Sequence, residues 1–416
     1  MSLTAAAARI VSAGSGASIY LQSGANESLA LHDVAGALLG DAVRPLLFSA
    51  LAPGLNAFDY AAAAGDGALL ETVLLPSALR AAFKAGRIGL WTTSYFGAAL
   101  RIVRAPAFDV AIVQGAPPEN GRAGLGLCAD YAPLIWDRAR LKILLLNSAL
   151  PSPRGAATID AAAADFVIGL DGAIPVLAPQ GENAVAAAIA AHVASLVRDG
   201  AVLQIGIGRI PNLILHALQD RRGLVFHSGA IGDGFIDLAN AGALAPGRAH
   251  RIGSVLGSAA LHRFVAEEDM ISLVDTSITH APSAFPALTN FTAINSALEV
   301  DLFGQINLEW RRGEMHGGVG GAPDFARGAK LAPDGRSIVA LPSLQKPGGP
   351  SRIVARLDTP SVSMSAIDAD TIVTEHGVAE IAALALDARA EALIAIASPE
   401  HRAALAEAWR TLRSGF

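Results

Sequence analysis

Four glycines stand within five residues at Gly317-Gly318-Val319-Gly320-Gly321, a density that no helix or strand interior sustains. Such a stretch lets the backbone approach a ligand closely and leaves N–H groups to point at it, which suits an anion or another acceptor. A plain mobile surface loop is the competing reading. The patterned segments on either side, and the passage into Asp324-Phe325-Ala326, favour a ligand-facing loop. A second donor turn is Gly206-Ile207-Gly208, which follows a strand pattern and opens a helical one. It departs from a dinucleotide fingerprint, because Pro211 replaces the third glycine and no acid stands near Phe226, where a ribose partner belongs. A nicotinamide site is therefore disfavoured, while the turn still offers N–H groups at a helix start to an anion or a carbonyl oxygen. The chain has neither a G-x-x-x-x-G-K-[ST] loop nor a G-x-S-x-G elbow. Its ten histidines form no H-x-H or H-E-x-x-H pair, so no metal site is read.

The elements that must position these turns recur. Gly16 to His32 and Gly200 to His216 share their punctuation: Gly16 matches Gly200, Ala17 Ala201, Gly24 Gly208, Leu29 Leu213, Leu31 Leu215 and His32 His216. Farther on, Gly124, Gly126, Asp130 and Ala132 match Gly318, Gly320, Asp324 and Ala326. Strand-like runs follow both, at Lys142 to Leu146 and Ser337 to Leu341. Repeats this long are not solenoid units. They predict a duplicated α/β chain, two related open domains with mostly parallel sheets. Pro179-Gln180-Gly181 reads as a turn and Glu182 to Asp199 as a helix closed by Gly200, which puts the boundary between domains 1–181 and 182–416. Lys346 to Pro350 reads as a surface turn before a strand, and the region from Val378 onward as packing helices.

At 416 residues the chain exceeds one ordinary core, and two domains are expected. Hydrophobic residues make up 52%, an excess that is largely alanine, and charged residues 16%, with a mean hydropathy of +0.43. No uninterrupted apolar run reaches the roughly 18 residues needed to cross a bilayer. Arg9 interrupts the N-terminal alanine run, so a secretory signal is not expected. A net charge of −6 with scattered basic residues leaves no electrostatic footprint for nucleic acid. The single cysteine, Cys128, excludes an intrachain disulfide and suits a reducing cytoplasm. The low charge permits a large subunit interface, and a homodimer is expected.

The second half resembles the acetyl-CoA hydrolase/CoA-transferase family, with the class I CoA-transferase fold. The segments that carry the resemblance are LQIGIGRIPN, HSGAIGDGFIDL, INSALEVDLFGQIN, GGVGGAPDFARGA and IVTEHGVAEI, in that order from Leu203 to Ile381, and FDVAIVQGAPPENGRAGLG matches in the first half. The resemblance implies two related α/β domains, coenzyme A or an acyl-CoA as substrate with no permanently bound cofactor, and covalent catalysis. A family glutamate attacks the thioester carbonyl, and CoA then returns to form a glutamyl thioester. Carried over, the oxyanion loop falls on Gly320 and Gly321, the thioester-side asparagine on Asn295 and a second acidic residue on Glu375. Gly206, Gly208, Gly317, Gly318 and Arg327 fall toward CoA. The residues by themselves allow other roles: a capping or turn amide for Asn295, an ion pair for Glu375, the domain surface for Arg327.

One position departs from the family. The segment His227-Ser228-Gly229 puts Gly229 where the family has its nucleophilic glutamate, and no glutamate occurs from Asn183 to Ala266. Three readings follow. In the favoured one, water attacks a bound acyl-CoA with help from an acid such as Glu119, Asp233 or Glu299. In the second, a partner subunit supplies the nucleophile for transfer to a small carboxylate. In the third, the protein binds acyl-CoA without catalysis.

Overall fold

The computed structural model describes every residue except Met1, Pro179, Gln180, Glu182, Arg248 and Ala249. The chain clusters into two compact units. The first holds Met1–Ala178, Ala249–Thr279 and His316–Gly320; the second holds Pro179–Arg248, His280–Met315 and Gly321–Phe416.

The first unit begins with strands β1 (Ser18–Leu21), β2 (Leu46–Phe48), β3 (Leu69–Thr72), β4 (Ile88–Leu90), β5 (Val110–Gly115), β6 (Arg122–Gly124), β7 (Leu141–Leu146), β8 (Thr158–Asp160) and β9 (Phe166–Gly169). Seven of them form a sheet in the order β4-β3-β2-β1-β5-β7-β9, with every pairing parallel. β6 and β8 pair antiparallel beside it. Successive side chains point to opposite faces of a strand, and both faces here are buried. Ile19, Leu47, Ile112 and Ile143 pack with Ile10, Leu31 and Leu38 of the helices Leu3–Val11 and Ala30–Leu39. Tyr20, Phe48, Ala111, Val113 and Leu144 pack with Ile102 and Trp136 of the helices Tyr95–Arg104 and Ala132–Trp136. Cover on both faces is why β7 reads as a near-continuous apolar run.

The second unit contributes β10 (Val202–Ile205) and β11 (Val225–Ile231). β12 (His250–Val255) and β13 (Ile271–Leu273) follow as a parallel pair in the first unit. Then come β14 (Phe291–Ser296), the short strands β15 (Glu299–Asp301), β16 (Ile306–Asn307), β17 (Trp310–Arg311) and β18 (Glu314–Met315), and finally β19 (Arg336–Ala340), β20 (Ile353–Val354), β21 (Thr371–Thr374) and β22 (Gly377–Glu380). Within the second unit the main strands run β11-β10-β14-β19-β21-β22, parallel except for the last pair.

The expected duplication is present in the topology: β2-β1-β5-β7-β9 in one unit corresponds to β11-β10-β14-β19-β21 in the other. The matched glycines have a shared physical reason. Gly16 and Gly200 sit at φ +75° and +70°, Gly24 and Gly208 at +64° and +113°, and Gly126 and Gly320 at +56° and +57°. Side chains rarely adopt those values, and glycine does so freely.

Two expectations are corrected. The helix foreseen from Glu182 to Asp199 spans Ala184–Leu196, capped at its start by the Asn183 side chain, which accepts from Ala186 N–H at 2.8 Å. It stops short of Gly200 because Val197 is extended and the Arg221 guanidinium donates to the carbonyls of Ala194 and Val197 at 3.1 and 3.0 Å. The boundary turn at Pro179 and Gln180, and the foreseen first residue Glu182, lie outside the described residues. The region after Val378 is not helical from its start, because Gly377–Glu380 folds back antiparallel on β21 through a tip formed by Glu375 and His376. Helices begin at Leu386–Ala395 and Pro399–Arg413. No helix among the described residues is long and apolar enough to cross a membrane.

Candidate active site

The sequence-derived residues of the second unit gather at the carboxyl ends of its parallel strands. Gly206 follows β10, Gly229 lies near the end of β11, Asn295 is the penultimate residue of β14, and Glu375 follows β21. The chain leaves β10 for β11 on one side, while β14 lies on the other. At such a switch point the outgoing loops diverge and leave a crevice at the carboxyl ends. Asn295 and Gln204, both buried, stand there on neighbouring strands and exchange side-chain hydrogen bonds. Gly208 caps the helix Arg209–Ala217 at φ +113°, a conformation reserved for glycine, and presents that helix's first turn beside Gly206.

Gly229 has a neighbour that spacing did not reveal. A β-carbon placed on it would lie 3.1 Å from both Cε1 and Nε2 of His280 and 3.4 Å from Phe325. A β-carbon on Gly321 would collide with the same Nε2. The imidazole thus lies against two glycines. Its plane is backed by the Phe325 ring, with centroids 4.4 Å apart. His280 is 5% exposed, whereas Gly229 and Gly321 are half-buried. Gly321 is also the N-cap of the helix Ala322–Leu331, which carries Pro323 and Asp324 in its first turn. Nothing in the sequence around His280 marks it: it belongs to no paired-histidine motif and follows an ordinary polar run.

The rest of the glycine loop, His316–Gly320, belongs to the first unit. Part of its glycine content answers to packing there. A β-carbon on Gly318 would strike the Val73 carbonyl oxygen, and Gly320, at φ +57°, lies against Tyr95 and Leu74. The Gly320 carbonyl accepts from Tyr95 N–H at 3.1 Å, and the Arg80 guanidinium bonds the His316 ring. Gly317 is half-buried. The expectation of a purely ligand-facing loop is narrowed accordingly: close backbone approach is real, and at Gly318 the approaching group is the protein's own carbonyl.

Glu375 is held by Ser343, whose N–H donates to Oε2 at 2.9 Å and whose hydroxyl donates to Oε1 at 2.6 Å. His376 Nε2 lies 3.6 Å from Oε1. Arg327 forks onto Asp368 at 3.2 and 3.3 Å while remaining mostly exposed. Of the acids considered as water-holders, Glu299 accepts from the side-chain amides of Asn307 and Gln345 at 3.0 and 3.5 Å. Asp233 precedes the helix Gly234–Asn240. Glu119 sits exposed in the first unit and bonds backbone to backbone with Arg122. Among the described residues, no group of three or more His, Cys, Asp and Glu side chains is placed to hold a metal ion.

A second polar cluster, in the first unit, belongs to no sequence motif. Asp130, at φ +45°, is buried beside Cys128, and Thr276 N–H donates to its carbonyl at 3.0 Å. Burial pushes the Asp130 carboxyl up to about 8, the Thr276 hydroxyl pulls it down, and Asp275 raises it further. Burial, with the Asp130 charge, pushes the Cys128 thiol up to about 12, although the Ser254 hydroxyl 2.9 Å away opposes this.

Comparison with known proteins agrees with this architecture. A family model described as the acetyl-CoA hydrolase/transferase C-terminal domain matches residues 257–409. The 4-hydroxybutyrate coenzyme A transferase of Clostridium kluyveri is 35% identical over 306 residues, 71% of each chain. The chain belongs to the acetyl-CoA hydrolase/CoA-transferase family. An acetyl-CoA hydrolase of Eremothecium gossypii is 29% identical over 351 residues, covering 72% of this chain and 65% of that protein. The crystal structure of RipA from Yersinia pestis superposes with a TM-score of 0.87 at 25% identity, covering 99% of this chain and 100% of that one. The protein is thus an enzyme of a family whose members transfer CoA or hydrolyse its thioesters, with the family's α/β fold.

Proposed function

We propose that the protein binds a small acyl-CoA and hydrolyses its thioester. The observation that carries this reading is Gly229: the resemblance places the family's nucleophilic glutamate there, and glycine has no side chain to attack a carbonyl. A glutamyl-CoA intermediate then has no residue of this chain to form on at that position, while water can reach a bound carbonyl where the glutamate side chain is missing. The other parts of a thioester site are kept in this reading. Backbone N–H groups of Gly320 and Gly321 receive the oxyanion, each such donor contributing about 3 kcal/mol in comparable sites. Asn295 lies toward the thioester and Glu375 toward the reacting acyl group. The Gly206–Gly208 turn, Gly317, Gly318 and Arg327 lie toward CoA. No permanently bound cofactor is invoked.

The competing reading is CoA transfer to a small carboxylate with a nucleophile from a partner subunit, favoured by the similarity to 4-hydroxybutyrate coenzyme A transferase. We further propose a cytoplasmic homodimer, which the single buried cysteine and low charge support. We also propose inherited domains of 1–181 and 182–416, supported by the repeated strand order. The test for the reaction is CoA release from acetyl-CoA and butyryl-CoA with and without acetate. Release without acetate is expected. Exchange that requires acetate sinks the hydrolase, and binding with neither reaction leaves an acyl-CoA-binding protein.

A further inference from the structure

We infer that the second unit carries a site for a hydrogen phosphate group, free or as a small monoester, at the amino ends of β14 and β19. The inference stands apart from the reaction proposed above. Arg198, Asn290, Thr292, Asp334 and Arg336 line a cavity of about 240 Å³ there, wholly within this unit. Thr292 is the second residue of β14 and Asn295 the fifth. Three steps of about 3.3 Å put the cavity roughly 10 Å back along the strand from Asn295, and an odd number of steps turns the two side chains to opposite faces. The cavity is therefore not the crevice at the carboxyl ends.

Sheet register and two turns build it. Thr292 pairs with Arg336 across β14 and β19, so their side chains rise on the same face. Asn290 and Asp334 lead into these strands at φ +59° and +54°, values that asparagine and aspartate tolerate better than most residues. Asn290 N–H donates to the Pro333 carbonyl at 2.8 Å, which ties the two turns together. Thr292 is 3% exposed. Its hydroxyl has no hydrogen-bond partner among the described residues and is not sealed off, so the accessible part of it opens on the cavity. Among the described residues, the side chains of Arg198, Asn290 and Asp334 likewise bond to no other group. Arg336 meets Glu380 at 3.3 Å, a mostly exposed carboxylate. Arg198 and Asp334 are exposed, so the cavity is reached from solvent. The carbonyls of Ala194 and Val197, at the end of the helix Ala184–Leu196, would repel an anion, but both accept from the Arg221 guanidinium.

These groups select a tetrahedral oxyanion that keeps a proton. Guanidinium N–H groups match phosphate oxygens in pairs, and the Thr292 hydroxyl and Asn290 amide add donors from the strand side. Asp334, as a carboxylate, only accepts. It takes the P–OH of hydrogen phosphate and repels sulfate, which has no hydrogen to give.

The test is calorimetric titration of the full chain with inorganic phosphate at pH 6 and fixed ionic strength, beside urea unfolding. One phosphate per chain is expected, with sulfate weaker by about tenfold or more. Arg198→Ala, which loses no protein partner, is expected to keep its unfolding midpoint and to weaken phosphate binding about 10- to 100-fold. Thr292→Val keeps the strand and is expected to weaken it about tenfold. Asp334→Asn is expected to bring sulfate up to the affinity of phosphate. Glycerol 3-phosphate is the monoester arm, and the tighter of the two phosphates names the source. A folded wild-type chain that binds neither overturns the inference. So does binding that Arg198→Ala or Thr292→Val leaves at the wild-type affinity, or sulfate bound by the wild type as well as phosphate.

Discussion

Asn295 Nδ2 donates to Gln204 Oε1 at 3.1 Å, and Gln204 Nε2 donates back to Asn295 Oδ1 at 3.3 Å. The two amides lock each other at the join of β10 and β14. A primary amide has two donors, so the first Asn295 N–H fixes its orientation and a second remains, which the proposed function assigns to an incoming thioester carbonyl. Replacing Asn295 by Ala removes both functions and leaves the buried Gln204 amide with fewer partners, at a stability cost of about 1–3 kcal/mol. We expect kcat to fall by about 10²-fold. Gln204→Ala is expected to lower kcat less, because the Asn295 amide remains but is no longer held. Steady-state kinetics of the two variants beside urea titrations check the order; equal activity in Asn295→Ala and wild type removes Asn295 from the site.

A glutamate at position 229 meets His280 before it meets a substrate. Gly229→Glu alone is therefore expected to fold with a lowered unfolding midpoint and to show little acetate exchange. The pair Gly229→Glu with His280→Ala relieves the 3.1 Å approach and is expected to gain acetate-dependent exchange and a borohydride-trappable glutamyl thioester. Failure of the folded, acyl-CoA-binding double variant to do either shows that Gly229 is not the nucleophile position.

Glu375 sits at the tip between β21 and β22, and both its oxygens are bonded by Ser343. Hydrogen bonds to a carboxylate contribute about 1.5–3 kcal/mol. Glu375→Ala is expected to lower stability by that order, and Ser343→Ala by less, since the backbone N–H still donates. If Glu375 also acts on substrate, Glu375→Gln lowers kcat by more than Ser343→Ala does. Equal kcat in the two leaves Glu375 a structural anchor.

Asp130 gives a signed pH dependence. Its carboxyl is raised from 3.8 to about 8 by burial, so between those values the folded protein holds a proton that the unfolded chain has released. Stability from this group is full below pH 3.8, falls as pH rises, and levels off above about 8. Asp130→Asn, uncharged throughout, is expected to flatten the decline. Urea midpoints at pH 5 and pH 8 for both proteins measure it, and parallel slopes refute the assignment.

Much of the fold was legible in the chain because its determinants are local. Apolar runs such as Leu141 to Leu146 betray strands covered on both faces, and the matched glycines at 16 and 200, 24 and 208, and 126 and 320 mark turns whose positive φ excludes other residues. Where local signals compete with tertiary ones, the tertiary ones decide. The helix ending at Leu196 is stopped by Arg221 from another segment, and Val378 joins a strand because β21 offers it a hydrogen-bonding edge.

The sequence by itself determined the α/β duplication, the family, and the row of glycines and polar residues that ends the parallel strands. Only the tertiary structure decided that Gly318 answers to the Val73 carbonyl, that Gln204 orients Asn295, and that His280 stands against Gly229 and Gly321. The reason is physical. Turn chemistry and strand pattern act between neighbours along the chain, whereas the space beside a glycine is filled by whatever side chain the sheet and its packed helices carry there. His280 and Gly229 are far apart in sequence, and their contact exists only because the segment after Thr279 packs back against β11, with the Phe285 ring edge-on to His227.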